Sequence, residues 1–456
     1  MTPTNLQQLA DWAGGTVAAG NPLAVCSRVC TDSRTVQPGD FFVALRGERF
    51  DGHGYLAAAA AAGATGALVD AQYDGGVVPG LGMVRVQDTL GGLQQMAGAY
   101  RRTLSFKVVG ITGSNGKTST KDFCRAVLSV DRSVVSTRGN LNNHIGLPLS
   151  LLEAGPEHGA GVFEMGMNHA GEIAPLAALA APDYGIITNI GVAHIENLGS
   201  QEAIAQEKGE LAAALREDGL LVLSAEDRFS DAIAARTKAR AVRCGIGCGD
   251  VQALDLREEL GGSRFVARAR GCAMEAWVPV AGRHMVRNAL MAVAVGLEMG
   301  QTLEACVQGL AGLELTRGRL ERKRAGGVEI LDDTYNANPD SVEAALRTLA
   351  ALPCGGRRVA VLGRMGELGA FSEEGHTRVG RVAGELGLDL VVGVGEESAD
   401  TVATARAAGA GAAVAVFGVE EAVEHLKAFL NPGDHVLVKG SRSARMERVV
   451  ERLLGA

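Results

Sequence analysis

Short apolar runs alternate with segments of helical spacing through the middle of the chain. Phe106–Thr112, Val162–Glu164 and Tyr184–Asn189 have the length and composition of buried strands. Near them lie Gly171–Ala180 and Gln201–Leu215, in which apolar residues recur with helical spacing. Strands that alternate with helices favour a parallel sheet covered by helices. The pattern therefore predicts an α/β fold for this part of the chain.

The last part of the chain, from about Gly318, repeats this alternation more regularly. Its predicted strands are Val328–Asp332, Arg358–Leu362, Leu388–Val394, Ala413–Phe417 and His435–Val438. Its predicted helices are Asp340–Leu349, Glu373–Leu386, Ala399–Ala408, Val419–Phe429 and Met446–Leu454. This order predicts a doubly wound, Rossmann-like domain.

We expect three α/β domains, because a chain of 456 residues is too long for a single hydrophobic core. The N-terminal part holds one alanine-rich helix and four strand-like runs, which are Ser27–Thr31, Asp40–Leu45, Gly66–Val69 and Met83–Val86. The predicted boundaries give a small α/β domain at 1–86, a central parallel-sheet domain at 87–317 and the Rossmann-like domain at 318–456.

Composition and charge narrow the possible functions. Hydrophobic residues make up 47% of the chain and charged residues 21%, a balance typical of a soluble globular protein. The formal net charge of −8 disfavours general binding to nucleic acid or to an anionic membrane. Met1–Leu6 lacks the basic start and apolar run of a signal peptide, and no apolar stretch is long enough to cross a bilayer. We expect a cytoplasmic protein with no nucleic-acid partner and no membrane insertion.

Eight cysteines are scattered along the chain without the pattern of a disulfide framework. Two pairs, Cys26/Cys30 and Cys244/Cys248, have a separation that suits one face of a helix or strand. Neither pair has further His or Cys residues at zinc spacing. We interpret the cysteines as small buried hydrophobic residues in a reducing compartment.

The strongest local motif is the glycine-rich run Gly110–Thr118, which follows a predicted strand and opens the predicted helix Thr118–Leu128. In this context backbone N–H groups and the helix N-terminus favour phosphate, the lysine reaches the β- and γ-phosphates, and the threonine hydroxyl can bind Mg²⁺. The predicted nucleotide-binding residues are Gly113, Ser114, Asn115, Gly116, Lys117, Thr118 and Ser119. Ile111 stands where a strict P-loop has its first glycine, and the alternative is a glycine-rich turn with an incidental lysine.

Two polar residues follow neighbouring strands of the predicted central sheet. Glu164 ends one strand and His194 follows another, so both are expected at the carboxyl edge of the sheet beside the glycine-rich loop. A carboxylate and an imidazole suit a metal ion that neutralises a transferring phosphate. Taken singly, each is more often an ordinary polar residue at a strand end.

The central part contains four runs that together carry a family resemblance: Gly113–Thr118, Glu164–Ile173, Asn189–His194 and Glu207–Glu210. They resemble the central domain of the Mur ligases, a family of ATP-dependent amide-bond ligases. The N-terminal run Thr31–His53 resembles the UDP-sugar domain of the same family. The resemblance covers essentially the whole chain and is far more specific than any one motif.

Three further runs resemble the family members that add a D-alanyl-D-alanine dipeptide. They are Gly139–Gly146, Asp332–Pro339 and Val438–Met446. The Asp-Asn-Pro-Arg run of the diaminopimelate-adding members is absent from the sequence. The resemblance implies a ligase that uses ATP and Mg²⁺ to join D-alanyl-D-alanine to UDP-N-acetylmuramoyl-tripeptide through an acyl phosphate, in peptidoglycan precursor synthesis. It also implies that the first domain binds UDP and that the second is a P-loop-type ATPase.

The resemblance assigns catalytic and nucleotide-binding roles to single residues. Lys117 and the glycines would hold ATP, while Thr118 and Glu164 bind one Mg²⁺ and His194 contributes to a second. Lys208 matches a lysine that is carbamylated in several members and bridges to the metal. The residues expected to contact the adenine and to close on ATP from the third domain are Asn288, Arg319 and Asp333.

The resemblance also implies where substrates bind. The expected UDP-site residues are Asp32, Ser33 and Arg34, with Asn142, Asn143 and His144 as further substrate-binding residues. Two strand-end loops are expected to hold the acceptor dipeptide, through Asn336 and Asn338 toward its amide and Arg442 or Arg445 toward its carboxylate. In the simpler alternative, Asn336 and Asn338 only shape the turn before Pro339.

Simpler interpretations exist for other candidates, and two positions depart from the family pattern. Lys208 could be a solvated helix cation, Arg319 a linker charge and Asn288 a helix-surface amide. Met285 stands where the family usually has Asn, and Arg364 replaces a usual Asp.

Two rival functions are weaker. A folylpolyglutamate synthase would share the ATPase core and the bond type, but the runs Thr31–His53 and Asp332–Pro339 argue against it. A nucleotide-binding regulatory protein with an inactive ATPase would show changes at the phosphate-loop or metal positions, which are intact. We expect a monomer, and the third residue of the tripeptide remains open between diaminopimelate and lysine.

Overall fold

Three large sheets make up most of the fold of residues 1–455, which a computed structural model describes. The first of them lies in the N-terminal part of the chain, where Thr4–Asn5 and Val25–Cys26 also form a separate two-stranded antiparallel sheet. The strands here are β1 Thr4–Asn5, β2 Thr16–Ala19, β3 Val25–Cys26, β4 Arg28–Cys30, β5 Asp40–Val43, β6 Gly66–Asp70 and β7 Gly82–Val86. The helices are α1 Leu6–Ala13 and α2 Leu56–Ala61. The sheet has the order β2-β7-β6-β5-β4, parallel except for β2. The four predicted strands are present, and α1, which was not predicted, is capped by the Asn5 side chain.

The second sheet has nine strands and makes up the central part. Its strands are β8 Lys107–Thr112, β9 Val134–Ser136, β10 Ala160–Glu164, β11 Tyr184–Ile187, β12 Leu220–Ser224, β13 Arg240–Ile246, β14 Val251–Glu259, β15 Gly262–Ala269 and β16 Cys272–Val278. The order is β16-β15-β14-β13-β12-β11-β8-β10-β9. Strands β8 to β14 pair in parallel, which confirms the parallel sheet predicted from β8, β10 and β11. Strands β9, β13 and β14 were not predicted, and neither were β15 and β16, which extend the sheet from β14 by antiparallel pairing.

Ten helices surround this sheet in the part of the chain that the structure describes. They are α3 Thr89–Arg101, α4 Lys117–Leu128, α5 Gly146–Leu152, α6 Ile173–Ala180, α7 Ile195–Leu198, α8 Gln201–Lys208, α9 Glu210–Ala213, α10 Ser230–Ala234, α11 Arg283–Glu298 and α12 Leu303–Ala311. The prediction of one helix over Gln201–Leu215 is wrong, because the chain divides into two helices at Gly209.

The third sheet is Rossmann-like, as predicted. Its strands are β17 Glu321–Ala325, β18 Val328–Asp333, β19 Arg358–Gly363, β20 Leu390–Val394, β21 Ala413–Val416 and β22 His435–Lys439. The order is β17-β18-β22-β19-β20-β21, in which only the edge strand β17, which was not predicted, is antiparallel. The helices are α13 Pro339–Ala351, α14 Ser372–Glu385, α15 Ala399–Ala407, α16 Val419–Phe429 and α17 Glu447–Leu454.

The predicted boundaries fall between the sheets, but helix α3 joins the first two sheets. The ring of Tyr100 on this helix packs against Trp12 at a tilt, and its hydroxyl accepts a hydrogen bond from the Thr2 backbone N–H at 2.9 Å. The same hydroxyl donates to the Ala154 carbonyl at 2.6 Å. The division at residue 87 thus separates two elements that pack together, and it stays a prediction. Within residues 1–455, no helix is long and apolar enough to cross a membrane.

The glycine at position 309 allows α12 to pack closely on α4. A Cβ at Gly309 would lie 2.6 Å from the Val127 Cα and 2.8 Å from the Ala126 carbonyl oxygen, both backbone atoms. Helix α4 begins at the glycine-rich loop, so this contact fixes the back of the element that carries the loop.

We predict that Gly309→Ala destabilises the protein, although alanine favours helix by about 0.8–1 kcal/mol. Overpacking against backbone typically costs about 1–3 kcal/mol more, so a net loss of about 1 kcal/mol is expected in urea unfolding followed by circular dichroism. Gln308→Ala, at the exposed neighbouring position, is the control and should change stability by less than about 0.5 kcal/mol. Equal or greater stability of the Gly309 variant would contradict close packing here.

Candidate active site

A cleft of about 820 Å³ lies between the second and third sheets, where the loops after β8, β11, β18, β19 and β22 meet. All of these strands are parallel, so the loops extend from the carboxyl edges at which such sheets bind ligands. Predicted residues that line the cleft are Ser114, Asn115, Gly116, Lys117, Thr118, Ser119, His194, Asn288, Arg319, Asp333, Asn336, Asn338 and Arg442.

The glycine-rich loop is built to turn tightly at the base of α4. Gly113 has a φ of 145°, and a Cβ there would lie 1.8 Å from the Thr188 hydroxyl oxygen. Gly116 has a φ of 81° and directly precedes α4, whose first N–H groups have no partner within the helix. The Lys117 ammonium donates to the Gly113 carbonyl at 2.7 Å. Burial lowers the pKa of Lys117 to about 8. The loop therefore has the geometry of an anion site.

The loop after β11 holds the glycine-rich loop in shape. Asn189 accepts the Ser114 N–H through its carbonyl and the Asn115 N–H through its side chain, both at 2.9 Å. The Gly191 N–H donates to the Ser114 hydroxyl at 2.8 Å. Ser114 and Asn115 thus hold the shape of the loop through their own backbone and side-chain groups. The sequence motif predicted nucleotide binding at both residues but not this structural role.

Thr118, Glu164 and Arg319 meet at the floor of the cleft. The Thr118 hydroxyl donates to the Glu164 carboxylate at 3.2 Å and accepts from the Arg319 guanidinium at 3.2 Å. Arg319 also stacks on the ring of Tyr335, 4.1 Å from the ring centroid. Burial raises the pKa of Glu164, while Lys121 and Lys117 act in the opposite direction. The third domain thereby contributes the cation of Arg319 to the first turn of α4.

Lys121 and Asp122 are buried neighbours of Glu164 that sequence reasoning missed. The Lys121 ammonium lies 3.1 Å from the Asp122 carboxylate and 3.8 Å from Glu164 Oε1. Asp122 also accepts the Thr316 N–H at 2.8 Å, which attaches the linker before the third domain to α4. A signal was available, because Lys121 lies one helical turn after Lys117 and an amphipathic helix rarely buries a lysine without a partner.

His194 contacts the third domain through a residue that was not predicted. Its Nδ1 lies 2.6 Å from the Glu367 carboxylate, although the N–H direction is poor for a linear hydrogen bond. The proximity of His194, together with Lys117, lowers the pKa of Glu367. Glu367 follows β19 in the same loop as Arg364, which also lines the cleft and pairs with Glu397 at 3.3 Å.

Lys208 lies below the cleft with 1% of its surface exposed, so the interpretation as a solvated cation is wrong. Burial and the like charge of Lys117 lower its pKa well below the ordinary value. Within residues 1–455 its ammonium forms no ion pair, because the neighbouring Glu207 carboxylate accepts the N–H groups of Gly171 and Ile173, each at 2.8 Å.

Helix α11 approaches the glycine-rich loop from the other side. Asn288 is 6% exposed, and a Cβ at Gly116 would lie 2.7 Å from its amide nitrogen. Asn288 is therefore no helix-surface amide. Met285 is 3% exposed and packs in the core while reaching the cleft lining. His284 lies beside it, and burial lowers the pKa of its imidazole to about 4.

The third-domain loop after β18 binds both its own domain and the glycine-rich loop. Asp333 accepts from the buried Lys439 ammonium at 2.6 Å, and Lys439 donates also to the Asn336 carbonyl at 2.9 Å. Asn338 caps α13 and donates through its amide to the Asn115 side chain at 2.7 Å. The alternative in which Asn338 only shapes the turn before Pro339 accounts for its cap of α13. It does not account for the contact with Asn115, which links the two domains.

The two arginines predicted for the acceptor carboxylate are separated. Arg442 lines the cleft and is mostly exposed, with a 3.4 Å contact to Glu447. Arg445 is exposed, has a φ of 51° and does not line the cleft. The cleft geometry therefore favours Arg442 alone.

The predicted UDP-site residues lie away from this cleft. Asp32 caps the turn formed by Ser33 and Arg34, and it lines a separate hollow of about 180 Å³. The hydrogen bonds from Arg34 lower the pKa of Asp32 to about 2. Asn143 and His144 line a further groove of about 960 Å³ beside α3 and α6. The Asn142 carbonyl accepts the Gly166 N–H at 2.8 Å, close to the end of β10.

The predicted metal ligands form a partial donor set. Within residues 1–455, no three His, Cys, Asp or Glu side chains cluster with metal-binding geometry. Glu164 Oε1 is buried and accepts no hydrogen bond from any described residue, so one carboxylate oxygen is available beside the Thr118 hydroxyl. Such a set fits Mg²⁺, which is usually held by one or two carboxylates together with phosphate oxygens and water.

Family profiles match nearly the whole chain. The Mur ligase family catalytic domain matches residues 26–97, the Mur ligase middle domain matches 111–296, and the Mur ligase glutamate ligase domain matches 318–442. UDP-N-acetylmuramoyl-tripeptide--D-alanyl-D-alanine ligase of Escherichia coli K12 is 37% identical over 99% of this chain and 99% of its own length.

Solved structures agree with these similarities. A crystal structure of MurF from Acinetobacter baumannii superposes with a TM-score of 0.91 at 33% identity, covering 100% of this chain and 99% of that one. MurF ligase from Thermotoga maritima in complex with ADP has a TM-score of 0.84 at 29% identity, covering 94% and 97% of the two chains.

The lowered pKa of His284 predicts a pH-dependent stability. The unfolded imidazole binds a proton below about pH 6.5, whereas the folded one resists protonation until about pH 4. The stabilisation is therefore complete above pH 6.5 and is lost as the pH falls. Between pH 7.5 and 5 the wild type should lose about 2 kcal/mol more unfolding free energy than His284→Gln.

Urea unfolding at the two pH values measures this difference. His425→Gln, at an exposed position of α16, is the matched control and should follow the wild type. Identical pH dependence of the wild type and His284→Gln would contradict a neutral buried imidazole.

Proposed function

This chain belongs to the Mur ligase family, and from that premise we propose that it joins D-alanyl-D-alanine to UDP-N-acetylmuramoyl-tripeptide. ATP is converted to ADP and phosphate, and the product is UDP-N-acetylmuramoyl-pentapeptide for peptidoglycan synthesis. The observation that carries the proposal is the cleft itself. It combines a phosphate-type loop around Lys117 with the third-domain loops of Asn336 and Arg442, which are the runs that resemble the dipeptide-adding members.

The chemistry explains why ATP is needed. A carboxylate is a poor acylating agent, so an oxygen of the tripeptide's terminal carboxylate attacks the γ-phosphorus of ATP and ADP leaves. The amine of D-alanyl-D-alanine then attacks the acyl carbon, the phosphate leaves with its bonding electrons, and the amine loses a proton. Lys117 and Arg319 would stabilise the charge on the transferring phosphoryl group, because positioning and electrostatics supply most of the acceleration in such transfers.

Thr118 and Glu164 would hold one Mg²⁺, with His194 contributing to a second. The ion supplies charge neutralisation between the phosphate oxygens and the attacking carboxylate. Glu164 Oε1 supports this assignment, since it accepts no hydrogen bond within residues 1–455 and the Lys121 ammonium lies 3.8 Å from it, which leaves the oxygen available to a further ligand. The nearby cations Lys117 and Lys121 favour its ionised form.

Lys208 is the candidate for carbamylation. Burial lowers the pKa of the Lys208 amine well below its ordinary value, which increases the neutral fraction, the form that reacts with carbon dioxide. The resulting carbamate would be an anionic oxygen ligand beside the cleft, of the kind that Mg²⁺ prefers. Asn288 would contact the adenine and Asp333 would support closure on ATP, in keeping with the positions of both in the cleft lining.

The donor and acceptor substrates would bind on opposite sides of the phosphate site. Asp32, Ser33 and Arg34 would contact the UDP part, and Asn142, Asn143 and His144 would contact a further part of the same substrate. On the acceptor side, Asn336 would pair with the dipeptide amide and Arg442 with its carboxylate, while Asn338 holds the loop against Asn115. We further propose a monomer that acts in the cytoplasm, where its eight free cysteines stay reduced.

The acceptor should be a D,D-dipeptide. ADP release with UDP-N-acetylmuramoyl-tripeptide should depend on D-alanyl-D-alanine and be at least tenfold slower with D-alanine, L-alanyl-L-alanine or diaminopimelate. Lys117→Ala is the catalytic control, expected to lower the rate by about 10²–10³ while the fold is retained. Equal turnover with a single amino acid would overturn the assignment to dipeptide addition but leave the family membership intact.

Lys208→Ala should lose most activity, with partial recovery on addition of short carboxylates that replace the carbamate oxygens. Lys238→Ala, which removes an exposed lysine of the same domain, should behave like the wild type. Carbon-13 NMR of the wild type with labelled bicarbonate should give a carbamate signal that Lys208→Ala lacks. Electron density for an unmodified, metal-free Lys208 in a nucleotide-bound crystal would exclude the carbamate.

A further inference from the structure

Glu367 is the one acidic side chain of the β19–α14 loop that reaches across the cleft to the ATPase domain. Its Oε2 lies 2.6 Å from Nδ1 of His194, and its charge is also felt by Lys117. The sequence motifs gave Glu367 no role, and the reaction described above does not use it. The carboxylate therefore needs an explanation of its own.

Both partners of this contact have a backbone conformation that L-residues avoid. His194 has a φ of 65° and Glu367 a φ of 61°. The left-handed conformation is uncommon for any residue other than glycine, less so for histidine than for glutamate, so the cost is greater at Glu367. Such strain persists only where surrounding contacts impose it, and it concentrates at functional sites. Two strained residues that face one another across a domain boundary indicate a contact that the fold maintains.

Two further contacts join the same segments around this pair. A Cβ at Gly369 would lie 2.8 Å from Cγ of Glu196, so the loop after Glu367 lies directly on α7. The Val192 N–H donates to Asp340 of the third domain at 2.8 Å. The segment that carries His194 is thus held by the third domain at three points, and Glu367 contacts the imidazole itself.

We propose that Glu367 is a positioning residue for His194, which it orients when the third domain lies against the ATPase domain. The carboxylate engages Nδ1 and leaves Nε2 as the ring nitrogen free to act in the cleft. A carboxylate that orients a functional imidazole in this way typically contributes a factor of about 10 to 100 in activity. The role in turnover rests on the proposed ligase function, whereas the contact between the domains does not.

An ordinary surface ion pair is the competing explanation. The Glu367 side chain is 51% exposed, and pairs of that kind usually contribute little. If the contact were such a pair, its removal would let the strained backbone relax and would leave turnover unchanged. The two explanations therefore differ in what they predict for kcat.

The experiment compares Glu367→Ala and Glu367→Gln with Glu373→Gln, a control at an exposed position shortly after the same loop. Glu367→Ala should lower kcat for ADP release at least tenfold, while KM for ATP changes less than threefold. Glu367→Gln keeps an oxygen that can accept from Nδ1, so it should recover part of this loss. Glu373→Gln should match the wild type in both constants.

Amide hydrogen exchange of the purified full chain provides a readout that does not depend on activity. Peptides that cover 194–199 and 364–371 should exchange faster in Glu367→Ala than in the wild type, with Glu367→Gln between them. Unchanged kcat in Glu367→Ala would overturn the proposal, and so would unchanged exchange in both segments. Faster exchange in Glu367→Ala, together with no ADP release by the wild type on any acceptor, would instead overturn the ligase assignment and retain the contact.

Discussion

The absence of side chains at Gly113 and Gly116 is the constraint on which the cleft depends. At Gly113 the Thr188 hydroxyl occupies the space of a Cβ, and at Gly116 the Asn288 amide does. These close approaches bring the loop after β11 and helix α11 against the phosphate-type loop. The contacts of Asn189 with the loop backbone, and of Asn338 with Asn115, follow from that placement. A side chain at Gly113 would displace Thr188 after β11, and one at Gly116 would displace Asn288 of α11.

Positive charge is the second organising feature of the cleft. Lys117, Arg319 and the buried Lys121 lie around the carboxylate of Glu164, and Lys121 also pairs with Asp122 at 3.1 Å. Arg319 Nε is buried and makes no hydrogen bond within residues 1–455, so its N–H remains available as a donor to a ligand in the cleft. Low dielectric strengthens the attraction of such groups for an anion and raises the cost of leaving them unpaired. The arrangement therefore favours polyphosphate over a neutral ligand.

The features that depend on a local sequence pattern were predicted best. The alternation of strands and helices after Gly318 gave every parallel strand of the third sheet, and the loop around Lys117 was found because its glycines precede a helix. The antiparallel strands β15 and β16 were missed, although alternating burial is typical of antiparallel strands with one exposed face. The strand predictions rested on continuous apolar runs, which these segments lack.

Contacts between distant segments were beyond the reach of pattern. Nothing near Glu367 in the sequence indicates that it meets His194, and nothing near Lys208 indicates that it is buried without an ionic partner. Arg445 shows the opposite case. It follows Arg442 by only three residues in the sequence, yet it lies outside the cleft, because Arg445 itself has a left-handed backbone conformation. Distances across domains depend on packing of whole elements, which no single motif encodes.

The hydroxyl of Tyr100 has a consequence for the length of the donor substrate. Through Thr2 and Ala154 it ties the first domain to the central one by way of α3, so the turn at Asp32 and the loop at Lys117 keep a fixed separation. In the proposed reaction the donor must span that separation, with its nucleotide at one end and its reacting carboxylate at the other. On that proposal, the reach of the donor, and so the length of its peptide stem, would contribute to selection beside its chemical groups.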